Sequence, residues 1–229
     1  MRGPAFATLT AAALLCAPAA RAAENDATVA TYHADAARSG HYVFPGLTWA
    51  NAGDMRRDTA FDGRVPGHVY AQPLYWRPPG SERGLVIVAT EDNAVAALDA
   101  ITGQTVWQSR LGPTVARSKL RCGNIDPLGI TGTPVIDERS GALYLDAMVD
   151  GEKGPRHLVF GLSLADGAVL SGWPVDIADS LGALGMSFNA PAQGERGALT
   201  LAGDRLYVPY RGHFGECGDY SRMGGRAAP

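Results

Sequence analysis

The sequence predicts an all-β fold assembled from repeated four-stranded antiparallel units, and three observations predict it. Short apolar or alternating runs recur about every ten residues, the spacing of sheet strands. Turn chemistry separates them, and 29 Gly and 15 Pro in 229 residues let the chain reverse often. A stretch of the sequence also repeats itself strand for strand. Sustained helical periodicity is missing. The segment 176–186, "DIADSLGALGM", comes nearest to an amphipathic helix, and its two glycines weaken it.

Residues 1–22 stand apart from the fold. Arg2, the apolar stretch from Ala11 to Cys16 and the triplet Ala20-Arg21-Ala22 read as a secretory signal with an A-x-A cleavage site. The domain is therefore expected over 23–229, in the periplasm or outside the cell. The leader's apolar run is shorter than the roughly 20 residues a spanning helix needs, and no later stretch comes close, so a transmembrane segment is not expected. Leu14-Leu15 before Cys16 lacks the small residue of a lipidation signal.

Without the leader's two arginines, 18 Lys and Arg face 23 Asp and Glu, a net charge of −5 with the cations scattered. No basic stripe is available to neutralise phosphates, which argues against nucleic-acid binding. Two cysteines remain, Cys122 and Cys217. In an oxidising compartment they are expected to form a disulfide, since neither has the C-x-x-C spacing of a redox or zinc site.

Taken in order, strands are expected over 68–76, 84–91, 94–100, 105–111, 133–138, 141–148, 157–164, 197–203 and 205–211. The stretch 48–63, "TWANAGDMRRDTAFDG", is expected to add an outer or closing strand. The repeat aligns Pro73 with Pro134, Val86-Ile87-Val88 with Leu143-Tyr144-Leu145, Gly103 with Gly167 and Trp107 with Trp173. A third copy begins with Pro191 and continues through Leu206-Tyr207-Val208. Repeated units of four short strands are the pattern of propeller blades, whose radial stacking covers faces that a lone blade would expose. The chain reads as a partial β-propeller of four-stranded antiparallel blades, two full and the others partial. Closed propellers have about 4–8 blades. An open array leaves strand edges free, so a truncated product, or self-association through those edges, is expected.

Within 97–112, "ALDAITGQTVWQSRLG", the residues Ala97, Asp99, Thr102, Gly103, Trp107 and Gly112 resemble the tryptophan-docking repeat of the pyrroloquinoline-quinone (PQQ) dehydrogenase-like propellers. Gln104 stands where that repeat usually has Lys, and the second copy is degenerate, with Trp173 two residues late. "TYHADAARSG", "GHVYAQPLYW", "CGNIDPLGITGTPVID" and "RGHFGEC" are similar in order and wording to a secreted bacterial subgroup of these proteins. A Trp in each blade supplies on the order of 150–250 Å² of burial, and its indole N–H needs an acceptor that a neighbouring blade can provide. Asp99 can bind turn amides, so the repeat is read as scaffold rather than as a catalytic site.

The dehydrogenases of that family, as the resemblance implies, hold PQQ with adjacent cysteines, a stacking Trp and a calcium on carboxylate and amide oxygens. This chain has no Cys-Cys pair, and the calcium set cannot be placed in it. The expected function is therefore a secreted or periplasmic binding or scaffold module for a small-molecule or protein partner. Two alternatives stand beside it: a fragment of a PQQ- and calcium-dependent alcohol or sugar dehydrogenase, and an assembly-type propeller that docks a protein. Any ligand site is expected at one end of the central channel, with Gln72, Thr131, Thr133, Asn189, Arg211 and His213 as candidates. The plainer reading of those residues is that they only satisfy channel backbone groups. His33 with Asp35, and His213 with Cys217, are no more than metal-site fragments. Nucleophile-elbow and phosphate-loop spacings are absent.

Overall fold

A computed structural model describes residues 28–44, 46–215, 217, 218, 220 and 223–227; the leader lies outside the described residues. The expected strands appear, grouped into three antiparallel sheets of four. The first contains β1 (Leu74–Trp76), β2 (Leu85–Ala89), β3 (Ala94–Asp99) and β4 (Thr105–Arg110), side by side in chain order. The second repeats the plan with β5 (Val135–Asp137), β6 (Ala142–Gly151), β7 (Gly154–Ser163) and β8 (Val175–Asp176). In the third, β10 (Thr200–Ala202), β11 (Arg205–Gly212) and β12 (Met223–Ala227) are adjacent, and β9 (Gln193–Gly194) pairs with the far end of β11.

Period-2 alternation explains how the sheets stack. On β6, Leu143, Leu145 and Ala147 join Leu74, Ile87, Val95, Ala97 and Trp107 in a core between the first and second sheets. Ala142 and Tyr144, pointing the other way, join Leu199, Leu206, Val208 and Tyr210 between the second and third. One strand thus feeds two cores, as a sheet covered on both faces requires.

Trp107 locks the first sheet to the second. Its Nε1–H donates to the Leu164 carbonyl at 2.9 Å, across the inter-sheet gap. Gly167, with φ 73°, makes room: a Cβ there would overlap the Trp107 indole. Asp99 Oδ1 accepts from the backbone amides of Ile101 and Thr102 and from the Thr102 hydroxyl, which closes the turn before β4. Trp173 does not copy Trp107. Its ring lies against Gly161 of its own sheet and 5.2 Å from the Tyr144 ring.

The segment from Val29 to Arg38 crosses all three sheets. Val29 pairs with Tyr75 of β1, Ala30 accepts from the Ile136 amide of β5, and Arg38 donates to Ala198 and Thr200 at the start of the third sheet. Two local expectations fail. Residues 48–63 form no strand: Thr48 and Asn51 cap a single turn, α1 (Trp49–Ala52), and the charged run after Gly53 lacks an alternating apolar face. Ile177–Gly182 is a helix, α2, because Asp176 caps it by accepting from the Asp179 amide.

Trp107→Phe should lower unfolding free energy by about 2 kcal/mol, since the Leu164 carbonyl loses its buried donor. Trp107→Ala should cost about 4 kcal/mol by adding a cavity. Urea unfolding curves check both. A Phe variant as stable as the parent would show that the indole hydrogen bond does not lock the sheets.

Candidate functional site

Strand directions alternate, so consecutive connections alternate between the two ends of each sheet. The Asp99–Gly103 turn between β3 and β4 lies at one end. The β2–β3, β6–β7 and β11–β12 connections, together with the links from each sheet to the next, gather at the other. A cavity of about 630 Å³ opens among the links and connections at that end.

Its walls come from three places. The link between the first two sheets, 111–131, is pinned by the Val115–Leu128 bridge and packs Leu120, Ile125 and Leu128 against Met148 of β6. His157 of β7 contributes from the second sheet. The third sheet supplies Gly194, Glu195 and Arg196 on one side and Pro209 to Gly215 on the other. A disulfide between Cys122 and Cys217 ties the first wall to the third.

Beneath this cavity lies a fully buried polar network. Asp146 and His157 project from the same face of the β6–β7 hairpin, towards the third sheet. His157 Nδ1 lies 2.6 Å from Asp146 Oδ1, and its Nε2 lies 2.9 Å from the Gln193 carbonyl. Both ring nitrogens therefore face acceptors, which only the doubly protonated imidazolium satisfies. Burial works against that charge, but the Asp146 carboxylate outweighs it and raises the His157 pKa. The Tyr210 hydroxyl donates to Asp146 Oδ2 at 2.6 Å. Burial and the Asp146 charge push the phenol well above its ordinary value, so it stays protonated.

Glu195 is left over. It is 3% exposed, and neither carboxyl oxygen has a hydrogen-bond partner. The carboxyl occupies a space that exists because residue 132 is glycine, where a Cβ would overlap Oε2. Burial, reinforced by the nearby Asp146 charge, pushes its pKa well above the usual carboxyl range. The Gly197 amide opposes this shift without closing a hydrogen bond on either oxygen. His213 is the second orphan: its Nε2 is buried without a partner. Burial, then His157 and Arg117, lower its pKa to about 4, so it is neutral at pH 7.

Of the six residues singled out from the sequence, Thr131, Arg211 and His213 line the cavity. The Thr131 hydroxyl donates to the Glu195 carbonyl at 2.6 Å. Gln72, Thr133 and Asn189 lie elsewhere and serve the backbone. The Gln72 amide donates to Thr133 Oγ1, Gln72 Oε1 accepts from the His33 amide, and Asn189 precedes a 3-10 turn over Ala190–Ala192. His33 stacks on Tyr32, while Asp35 accepts from Ser39. Among the described residues, no group of three His, Cys, Asp or Glu side chains could hold a metal ion. Sequence reasoning missed Asp146, His157, Glu195 and Tyr210. The available signal was Asp146 at an inward position of the apolar run "ALYLDAMV".

The groups that the family resemblance implies for PQQ and calcium do not meet here. Among the described residues, no tryptophan lines the cavity, the disulfide joins cysteines 95 residues apart, and the wall carboxyl of Glu195 is buried beside another carboxylate, which pushes its pKa up.

Stability should respond to pH in two opposite ways. Between about 6.5 and about 4 the unfolded chain protonates residue 213 but the folded chain does not, so acidification destabilises the fold. His213→Gln should remove about 2 kcal/mol of this loss between pH 7 and pH 4, allowing for partial exposure. Glu195 has the other sign. Its contribution is fully present below the ordinary carboxyl range and is lost as pH rises through the folded value, so Glu195→Gln should gain on the parent as pH rises. Urea unfolding across pH reads both; parallel profiles for parent and variants would contradict the assignments.

Comparison with protein-family models gives no match, and neither does comparison with curated proteins. Among solved structures, the quinohemoprotein alcohol dehydrogenase from Comamonas testosteroni superposes with TM-score 0.59 and 18% identity, over 81% of this chain. The chain spans 23% of that protein's length. BamB from Moraxella catarrhalis aligns at 22% identity over 64% of this chain and 35% of its own, with TM-score 0.36, too low to weigh. No helix among the described residues is long and apolar enough to cross a membrane. The likeness establishes the fold alone: the three sheets are blades of a β-propeller.

Proposed function

We propose that this chain is a small-molecule binding module of an oxidising compartment, with the end cavity between the second and third blades as its ligand site. The observation that carries the reading is the pair of orphaned polar groups at the cavity, the Glu195 carboxyl and His213 Nε2. Buried polar groups without partners are costly, and a ligand that supplies those partners recovers part of the cost. The volume, about 630 Å³, falls within the range of ligand pockets, and Leu120, Ile125, Leu128, Met148 and Phe214 give it the apolar lining such pockets have.

The surroundings support binding rather than turnover. The Asp146–His157–Tyr210 network has its charges paired and its donors used. It is a rigid support for the walls, with no free base to offer. The Cys122–Cys217 bond supports a location outside the reducing cytoplasm.

N-Phenyl-1-naphthylamine, a neutral apolar fluorophore, should bind the purified chain saturably at one site. Ile125→Trp, which places an indole in the cavity wall, should reduce that affinity at least tenfold without unfolding the protein. Failure of the fluorophore to bind, or unchanged binding in a correctly folded variant, would overturn the reading.

A further inference from the structure

We infer that the end cavity receives the edge of a carboxamide or lactam: an uncharged ligand with an apolar body, whose C=O and syn N–H pair with the two oxygens of the Glu195 carboxyl. The inference rests on the binding reading above and deepens it by naming the polar group that the ligand presents.

One strand pair sets the two unpartnered groups side by side. β9 and β11 run antiparallel, with Gln193 opposite Gly212, and the His213 amide donates to the Ala192 carbonyl just before β9. Glu195 directly follows β9, and the Thr131 hydroxyl fixes its backbone by donating to its carbonyl at 2.6 Å. The His213 ring packs on Gly194, the residue before Glu195, where a Cβ would overlap the imidazole. A Cβ at Gly132 would overlap Glu195 Oε2, and one at Gly197 would stand 3.6 Å from Oε1. Glycine at 132, 194 and 197 thus leaves both groups without a covering side chain from these positions. Both residues are at least nine-tenths buried and belong to the cavity wall, with Oε1, Oε2 and Nε2 unpartnered.

Carboxyl chemistry selects the complement. Asp146 does not compete for a ligand, because His157 and Tyr210 occupy its oxygens. Its charge, with burial, pushes the Glu195 pKa well above the usual carboxyl range and so favours the protonated acid. A protonated carboxyl offers an O–H donor and a carbonyl acceptor side by side. A carboxamide or lactam offers the reverse order in one plane, so the two close a ring of two hydrogen bonds. An ester has no N–H and leaves a buried carboxyl oxygen unpaired. The second N–H of a primary carboxamide meets Nε2 of His213, which burial keeps neutral at pH 7 with a pKa of about 4. An amidinium brings two donors and a charge, which suits an ionised carboxylate instead. Above this neutral floor, Ile125, Leu128 and Met148 cover the apolar body.

Competition against bound N-phenyl-1-naphthylamine tests the inference, with three ligands that share a naphthalene body: naphthalene-2-carboxamide, methyl naphthalene-2-carboxylate and naphthalene-2-carboxamidine. The carboxamide should compete about tenfold better than the ester, and the carboxamidine worst. Glu195→Gln, whose side chain keeps a donor and an acceptor side by side, should retain the preference, and Glu195→Leu should abolish it. His213→Phe should weaken the carboxamide about three- to fivefold and leave the ester unchanged. Fluorophore binding shows that each variant keeps its cavity, and the ligand series on the parent decides the matter even where a variant does not fold. Equal competition by carboxamide and ester would overturn the pairing while leaving an apolar binding site in place. Preference for the carboxamidine would overturn it in favour of an ionised Glu195. An amide preference that survives in fluorophore-binding Glu195→Leu would also overturn it. If the fluorophore does not bind the parent, the binding reading fails and this inference with it.

Discussion

The Asp146 carboxylate is the constraint on which the rest of the site depends. It lies in the middle of β6, on a face covered by the third blade, where an unpaired charge would cost several kcal/mol. Three groups meet that demand. His157 comes from the neighbouring strand, Tyr210 from the next blade, and the Gln193 carbonyl holds the far side of the imidazolium. Because those partners belong to different elements, satisfying one charge fixes the second blade against the third. The same arrangement sets the state of Glu195. With Asp146 nearby and the buried His157 imidazolium already paired with it, burial and that negative charge hold the Glu195 pKa well above the usual carboxyl range.

Packing between the first two blades follows a different logic. There the lock is apolar and directional, with one indole filling the gap and one hydrogen bond to Leu164 fixing its depth. The Asp99 turn that presents this indole lies at the opposite end of the sheets from the cavity. Antiparallel connectivity thus separates the structural end of the blade from the functional end. Beyond Gly112 the 111–131 link lies outside the docking repeat and shapes a wall, held by the Val115–Leu128 bridge and by the Cys122–Cys217 bond to the third blade.

The fold was legible where a residue type had one physical use. Trp107 with Asp99, Thr102 and Gly103 could be read directly, because a tight turn and a docked indole need those residues at those offsets. Alternating apolar runs marked every strand longer than two residues except β12, whose glycine-rich "MGGRA" has no alternation to read. The helix α2 escaped because its cap, Asp176, is also the last residue of a two-residue strand rather than part of a loop. The site was legible only in outline. Propeller topology alone led to Thr131, Arg211 and His213, but it could not separate them from Gln72 and Thr133, whose side-chain oxygens are spent on the backbone amides of His33 and Gln72. Glu195 was invisible: in "AQGERGAL" it looks like a turn residue, and only the third dimension puts Gly132 and Asp146 beside it.

The character of the cavity floor turns on the protonation state of that one carboxyl. Carbon-13 NMR of the Glu195 side-chain carboxyl, identified by comparison with Glu195→Gln, reads it directly. The structure predicts a resonance that remains in the protonated position at pH 7 and titrates well above the usual carboxyl range. A carboxyl already ionised at pH 5 would mean that water or a counter-charge reaches it in the free protein, and the neutral-floored cavity described here would be wrong.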